Sequence, residues 1–212
     1  MRAKRFIISC LVLLIMISIL CACQNTQTME IGDNFEVPQV DSGRLLCSIK
    51  DVNLITSDSK VSFDKEKFRD NSFFVLEGES LSPDQFLDRE GYPIKGCCIV
   101  TMDLEIQSDN AVSAYYEEYG ENIFRADSIV WLVSCAEKRN GNYRPALDPL
   151  YFSNLNSCMV HPMAFKLEPG ETVCFTIGFV AQQEWIFENL EDISGSLGMS
   201  TDSTLLNLNF GG

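Results

Sequence analysis

Residues 97–107, CCIVTMDLEIQ, set apolar and polar side chains in strict alternation. Cys98, Val100, Met102, Leu104 and Ile106 share one parity, and Thr101, Asp103, Glu105 and Gln107 share the other. A period of two marks a strand with one face on a core and one toward water; a helix would scatter these apolar residues around its axis. The middle of the chain is therefore committed to a sheet.

The same period recurs elsewhere. RLLCSIKDVNLITS (44–57) puts Leu45, Cys47 and Ile49 on one face, then Val52 and Leu54 with the parity shifted by one, which predicts a β-bulge at Lys50-Asp51. SIVWLVSCA (128–136) groups Ile129, Trp131, Val133 and Cys135. ETVCFTIGFVA (171–181) aligns Val173, Phe175, Ile177 and Phe179 against Thr172, Cys174 and Thr176, and TLLNLNF (204–210) gathers Leu206, Leu208 and Phe210. EIGDNFEV (30–37) reads as a first strand after a Gly-Asp turn.

Helix signals are few. LSPDQF (81–86) carries a capping box, with Ser82 as N-cap, Pro83 at the first helical position, Gln85 reaching back, and Leu81 and Phe86 as a hydrophobic staple. It predicts a helix of about two turns that Gly91-Tyr92-Pro93 ends. SFDKEKF (62–68) is a candidate for one more turn. A set of about seven strands with long decorated connections predicts an all-β sandwich.

Ahead of the strands lies an export signal. Three basic residues in Met1–Arg5 precede an apolar run from Phe6 to Leu20, the layout of a secretory leader. Its end, Leu20-Cys21-Ala22-Cys23, resembles the bacterial lipobox, which implies cleavage before Cys23 and thioether linkage of its thiol to diacylglycerol. With Cys21 in that role, bulky Leu20 would stand directly before the cut, a poor fit. The expected organisation is a signal peptide over 1–22, a lipid-anchored tether over 23–29 and one domain over 30–212. Two acyl chains anchor stably where one holds only marginally. The alternatives are an uncleaved anchor, for which the 18 residues from Phe6 to Cys23 stand at the short end of a span of roughly 30 Å, and ordinary secretion.

Charge narrows the partners. The chain has 16 basic and 30 acidic residues; removal of 1–22 takes away three basic residues and leaves a formal charge of −17. Such a surface repels nucleic acid and anionic lipid. The expected partners are the membrane, through the lipid on Cys23, and another surface protein. The local cluster YYEEYGEN (115–122) reads as a solvated face, and no EF-hand spacing is present.

Six cysteines follow Cys23: Cys47, Cys97, Cys98, Cys135, Cys158 and Cys174. An even count in an exported chain allows a disulfide framework, but no C-x-x-C is present and adjacent Cys97 and Cys98 face opposite ways. By parity Cys47, Cys98 and Cys135 point inward, Cys97 and Cys174 outward, and Cys158 falls in a loop. Mostly free core thiols are favoured over a disulfide framework, since free cysteine packs as a small hydrophobe.

The order IGDNFEV, IVTMDLEIQSDN, FKLEPGETVCFTIGFV resembles the telokin-like, immunoglobulin-type domains of Gram-positive surface lipoproteins. The matching residues are Gly32-Asp33, Asp109-Asn110 and Pro169-Gly170-Glu171. Glu168–Glu171 suits a type II turn, with Pro fixing φ and Gly taking φ > 0. The resemblance covers roughly 30–210 and departs through 58–96 and 137–163. It implies an immunoglobulin-like β-sandwich on the cell surface and no reaction. In immunoglobulin domains a bridge between the sheets lies next to a core Trp, so a Cys47–Cys135 or Cys98–Cys135 bond is conceivable on the resemblance alone.

Catalytic groupings are sparse. The single histidine, His161, precedes a proline and reads as a loop residue. SGSLG (194–198) puts Ser194 where a nucleophile elbow needs glycine, and it reads as a loop. Glu117, Glu118 and Glu121 are weak candidates for paired carboxylates. One histidine with no convergent cysteine or carboxylate spacing points away from zinc, and neither metal nor cofactor is expected. Trp131 is assigned to the core, and Trp185, after AQQE, to recognition. The expected function is a lipid-anchored, extracytoplasmic, non-catalytic binding domain with no catalytic residue and an unidentified ligand site. The alternatives are a small solute-binding component of a transporter and an enzyme with an unrecognised site.

Overall fold

The computed structural model describes residues 28–69, 71–76, 79–134, 146–147, 149–158, 161–197 and 204–208. Strands β1 (Thr28–Met29), β2 (Asn34–Glu36) and β3 (Val40–Thr56) open the chain, and β4 (Asn71–Leu76) pairs with β5 (Glu79–Leu81). Strand β6 (Cys97–Ser113) follows, then helix α1 (Tyr116–Tyr119), β7 (Ile123–Arg125) and β8 (Val130–Ser134). Next come β9 (Ala146–Leu147), β10 (Tyr151–Ser153), β11 (Ser157–Cys158), β12 (His161–Lys166) and β13 (Thr172–Gln182). Helix α2 (Gln183–Glu188), β14 (Ile193–Leu197) and β15 (Thr204–Asn207) complete a mostly-β fold with two short helices.

Two five-stranded sheets dominate, ordered β1-β15-β14-β8-β9 and β10-β13-β6-β3-β2. A smaller sheet, β11-β12-β7, carries the turn that holds α1. One hydrophobic cluster joins Leu45, Cys47, Ile49, Met102, Leu104, Phe175 and Phe179 of the second sheet to Val130, Leu132, Leu197 and Leu206 of the first. The alternation of 97–107 is reproduced: Cys98, Val100, Met102, Leu104 and Ile106 are all buried in this cluster. So is the bulge, where Ile49 pairs with Leu104 but Asp51 with Asp103, which leaves Lys50 unmatched. Val52 thereby returns to the core face. Gly170, at φ 84, and the Glu171 N–H to Glu168 carbonyl bond form the turn expected at Pro169-Gly170.

Several expectations are corrected. Trp131 is half-buried, whereas Val130 and Leu132 enter the main cluster. The cause is local: Ala126–Ser128 form a 3-10 turn and Ile129 is still in the right-handed helical region, so alternation starts only at Val130. SGSLG is no loop, since Ser194–Leu197 lie in β14 between β15 and β8. Cys158 and His161 are opposed strand residues of β11 and β12. The capping box at Ser82 is present, with the Ser82 N–H donating to Gln85 Oε1 at 2.7 Å, but it starts one 3-10 turn, Pro83–Gln85. Phe86 leaves helical geometry because its carbonyl accepts from Ile94 N–H and Leu87 bridges Pro93. Residues 28–29, assigned above to the tether, form β1 and pair in parallel with β15.

The long connection 58–96 builds a second cluster. Phe63, Phe68, Phe86 and Leu87 cover Ile55, Ile99 and Val180, which point away from the main core, and Tyr151 packs against them. Phe68 meets Phe86 and Tyr151 at ring-centroid distances of 5.1 Å and 4.9 Å. One end of β3, β6 and β13 is thus buried on both faces. The bridge from Phe68 to Tyr151 and the bond from Arg69 N–H to the Leu150 carbonyl fix where the chain emerges.

Candidate functional site

Arg69 emerges at that point. Phe68 is anchored in the second cluster, so the next side chain projects elsewhere, over the ring of Phe152, with Cζ 4.2 Å from the ring centroid. Its Nη2 donates to the Pro162 carbonyl. Its Nη1 is buried and has no hydrogen-bond partner. Burial disfavours the cation and lowers the guanidinium pKa to about 10, with Asp127 pulling it up and Arg125 pushing it down. It remains positive at neutral pH.

Arg125 ends β7 and Asp127 follows it by two residues. Asp127 accepts from Arg125 Nε at 3.0 Å and Nη2 at 2.6 Å, and its side chain is only 15% exposed. This forked geometry is the strong form of a guanidinium–carboxylate pair. The pairing raises the Arg125 pKa, chiefly through these hydrogen bonds. Gln39 holds the backbone beneath them: its Oε1 accepts from Arg125 N–H at 2.7 Å and its Nε2 donates to the Arg125 carbonyl at 2.9 Å. That amide stands in for a neighbouring strand. Gln39 Nε2 also donates to Ser128 Oγ at 3.2 Å.

The α1 turn rises beside this group. Its stem is tied by Ser113 N–H to Asn122 Oδ1 at 3.1 Å and by the Ser113 hydroxyl to the Ile123 carbonyl. Tyr115, Tyr116 and Tyr119 are exposed on it, and the Tyr115 and Tyr119 rings lie 6.5 Å apart. Tyr115 lies near enough to Arg125 to couple with it electrostatically, and Glu118 raises the Tyr119 pKa by hydrogen bonding to it. Aromatic rings with a guanidinium alongside form a surface that recognises planar and polar groups together. The arrangement offers cations, amides and phenols side by side.

The other sequence candidates lie elsewhere. Cys23 and Cys135 are outside the described residues, as is the side chain of His161. Glu121 pairs with Lys166 at 3.1 Å and Glu118 faces Tyr119, so Glu118 and Glu121 are drawn into separate contacts. Trp185 is half-buried against the main core, a correction to its assignment to recognition; the exposed aromatic of α2 is Phe187. Cys47, Cys97, Cys98, Cys158 and Cys174 are free thiols. Among the described residues no group of three or more His, Cys, Asp or Glu could hold a metal ion, and no helix is long and apolar enough to cross a membrane.

Sequence reasoning missed Arg69, Gln39 and the Arg125–Asp127 pair. The spacing in FRAD (124–127) was the available signal for the last, since an arginine and an aspartate two residues apart at a turn are within reach of each other. Nothing in the sequence joins Arg69 to Phe152.

No family model matches the chain, and no curated protein matches it. The chain is similar to the crystal structure of a functionally unknown protein from Listeria monocytogenes EGD-e, at 13% identity over 78% of this chain and 74% of that one, with a TM-score of 0.35.

Proposed function

We propose that the chain is a lipid-anchored, non-catalytic binding domain on the extracytoplasmic face of a cell membrane, built as an immunoglobulin-like β-sandwich. The observation that carries the reading is the LCAC ending of the apolar segment, which puts an acceptor thiol at Cys23 and small Ala22 before it. Support for the sandwich comes from the single cluster shared by the two five-stranded sheets. Support for binding comes from the exposed tyrosines beside Arg125 and Asp127. Between Cys23 and β1 stand four residues, a reach of at most about 14 Å when extended. The domain therefore works close to the bilayer, where its acidity keeps it off anionic headgroups.

The test is fractionation of cells that express the intact chain or Cys23→Ser. The intact chain is expected in the membrane fraction, extracted by detergent and not by salt. Cys23→Ser is expected in the medium or as an uncleaved precursor. Membrane retention of a cleaved Cys23→Ser protein overturns the reading.

A further inference from the structure

Among the described side chains, the buried nitrogen and oxygen atoms without a hydrogen bond are Ser48 Oγ and Arg69 Nη1. The second is a charged donor. Leaving such a group unpaired costs more than leaving a neutral one, on the order of the full desolvation of that N–H. The Phe152 ring supports the face of the guanidinium and the Pro162 carbonyl takes Nη2. Orientation is already fixed, and one donor arm is left over.

Charge around that arm is unbalanced in the opposite sense to the chain. Arg69, Arg125 and Asp127 interact through their charges, two positive against one negative, in a chain of net charge −14. Asp127 occupies Nε and Nη2 of Arg125, so the surplus positive charge is that of Arg69. We propose that Arg69 is the anchor of a binding site for a carboxylate-bearing ligand, with the Arg125–Asp127 pair as its polar wall and Phe152 as its floor. The site takes a carboxylate rather than a phosphate because one negative charge balances the surplus, whereas a second would add to the charge that Asp127 already directs at Arg69. A carboxylate oxygen accepts a charge-assisted hydrogen bond from the Nη1 arm that Pro162 leaves over. Nη1 is closed to water in this conformation, so the ligand enters on a local opening over Arg69. The inference rests on the reading of the chain as a binding domain; it does not depend on the lipid.

The experiment titrates sodium acetate into the full chain in detergent at fixed ionic strength, with chloride as the balancing anion. Melting temperature and the arginine side-chain N–H resonances are followed together. A ligand of the folded state alone raises the melting temperature saturably. Half-saturation is expected on the order of millimolar for a single charge-assisted contact. Arg69→Met and Arg69→Lys are expected to weaken binding at least tenfold, Lys because its one ammonium nitrogen cannot serve the Pro162 carbonyl and the ligand as two separate arms do. No saturable shift, or an equal shift in Arg69→Met, overturns the site. Inorganic phosphate saturating at lower concentration than acetate overturns the carboxylate class. Should Arg69→Met not fold, the Arg69 resonance of the unaltered chain decides: movement on acetate addition supports the site and its absence overturns it. Failure here with Cys23-dependent membrane retention intact removes the carboxylate site alone, while acetate binding without such retention removes the anchoring alone.

Discussion

Arg69 lays its guanidinium over Phe152, with Cζ 4.2 Å from the ring centroid. The contact joins two parts of the molecule, because Phe152 belongs to the main core and Phe68, the residue before Arg69, to the second. A desolvated cation on an aromatic face is worth about 0.5–2 kcal/mol. A double-mutant cycle with Arg69→Met and Phe152→Leu is expected to give a coupling energy in that range, because these two changes keep the site apolar and filled. Arg69→Met alone is expected to cost little, since it removes the unpaired Nη1 with its charge. Additive single and double variants in denaturant titrations would show that the stacking contributes nothing.

Leu104→Ala removes a fully packed side chain from the strand at the centre of the second sheet, where it faces Ile49 on one side and Phe175 on the other. The expected loss is about 2–5 kcal/mol. Urea unfolding with an unchanged midpoint would place this strand face outside the core.

Gly43→Ala tests the bulged end of β3. Gly43 takes φ 72, and a Cβ there would stand 2.0 Å from the Asn110 carbonyl oxygen. Asn110 itself is at φ 53, and Arg44 pairs with both Asp109 and Asn110. Neither backbone can yield without breaking the pairing, so a loss of about 2 kcal/mol or more is expected. A melting temperature equal to that of the unaltered chain would show that the close approach is relaxed in solution.

Thiol reactivity follows burial. Cys174 is exposed and is expected to react first with a disulfide reagent at pH 8, followed by half-buried Cys158 and Cys97. Cys98 is expected to react only on unfolding, because burial pushes its thiol up to about 12; burial also raises Cys47 well above its usual range. The reactive species is the thiolate, so both effects slow the reaction. Protein isolated without reductant and then denatured is expected to release at least five thiols, those of Cys47, Cys97, Cys98, Cys158 and Cys174. A count of zero would mean three bridges and overturn the packing of Cys47 and Cys98 as free core residues.

What was legible in the sequence is what short-range alternation can encode. The strand faces of 97–107 and 171–181, the bulge at Lys50 and the turn at Gly170 all follow from local patterns. Trp131 departs from its expected face because parity carried forward from Ile129 ignores a 3-10 turn that resets it. The second cluster was invisible for another reason: Phe63, Phe68 and Phe86 have no regular period, and their partners Ile55, Ile99 and Val180 sit on the strand parity that elsewhere faces water. The site was the least legible part. Arg69, Arg125 and Phe152 are brought together by pairings between distant segments, Phe68 with Tyr151 and β7 with β12, that no spacing announces.

The most direct measurement of anchoring is the intact mass of the mature protein purified from membranes, with the N-terminal peptide sequenced by fragmentation. The expected result is a chain that begins at Cys23, with the mass of residues 23–212 plus a diacylglycerol unit carried by the terminal cysteine. A chain that begins at Met1, or one that begins at or beyond Cys23 without lipid, would contradict the lipid-anchored reading.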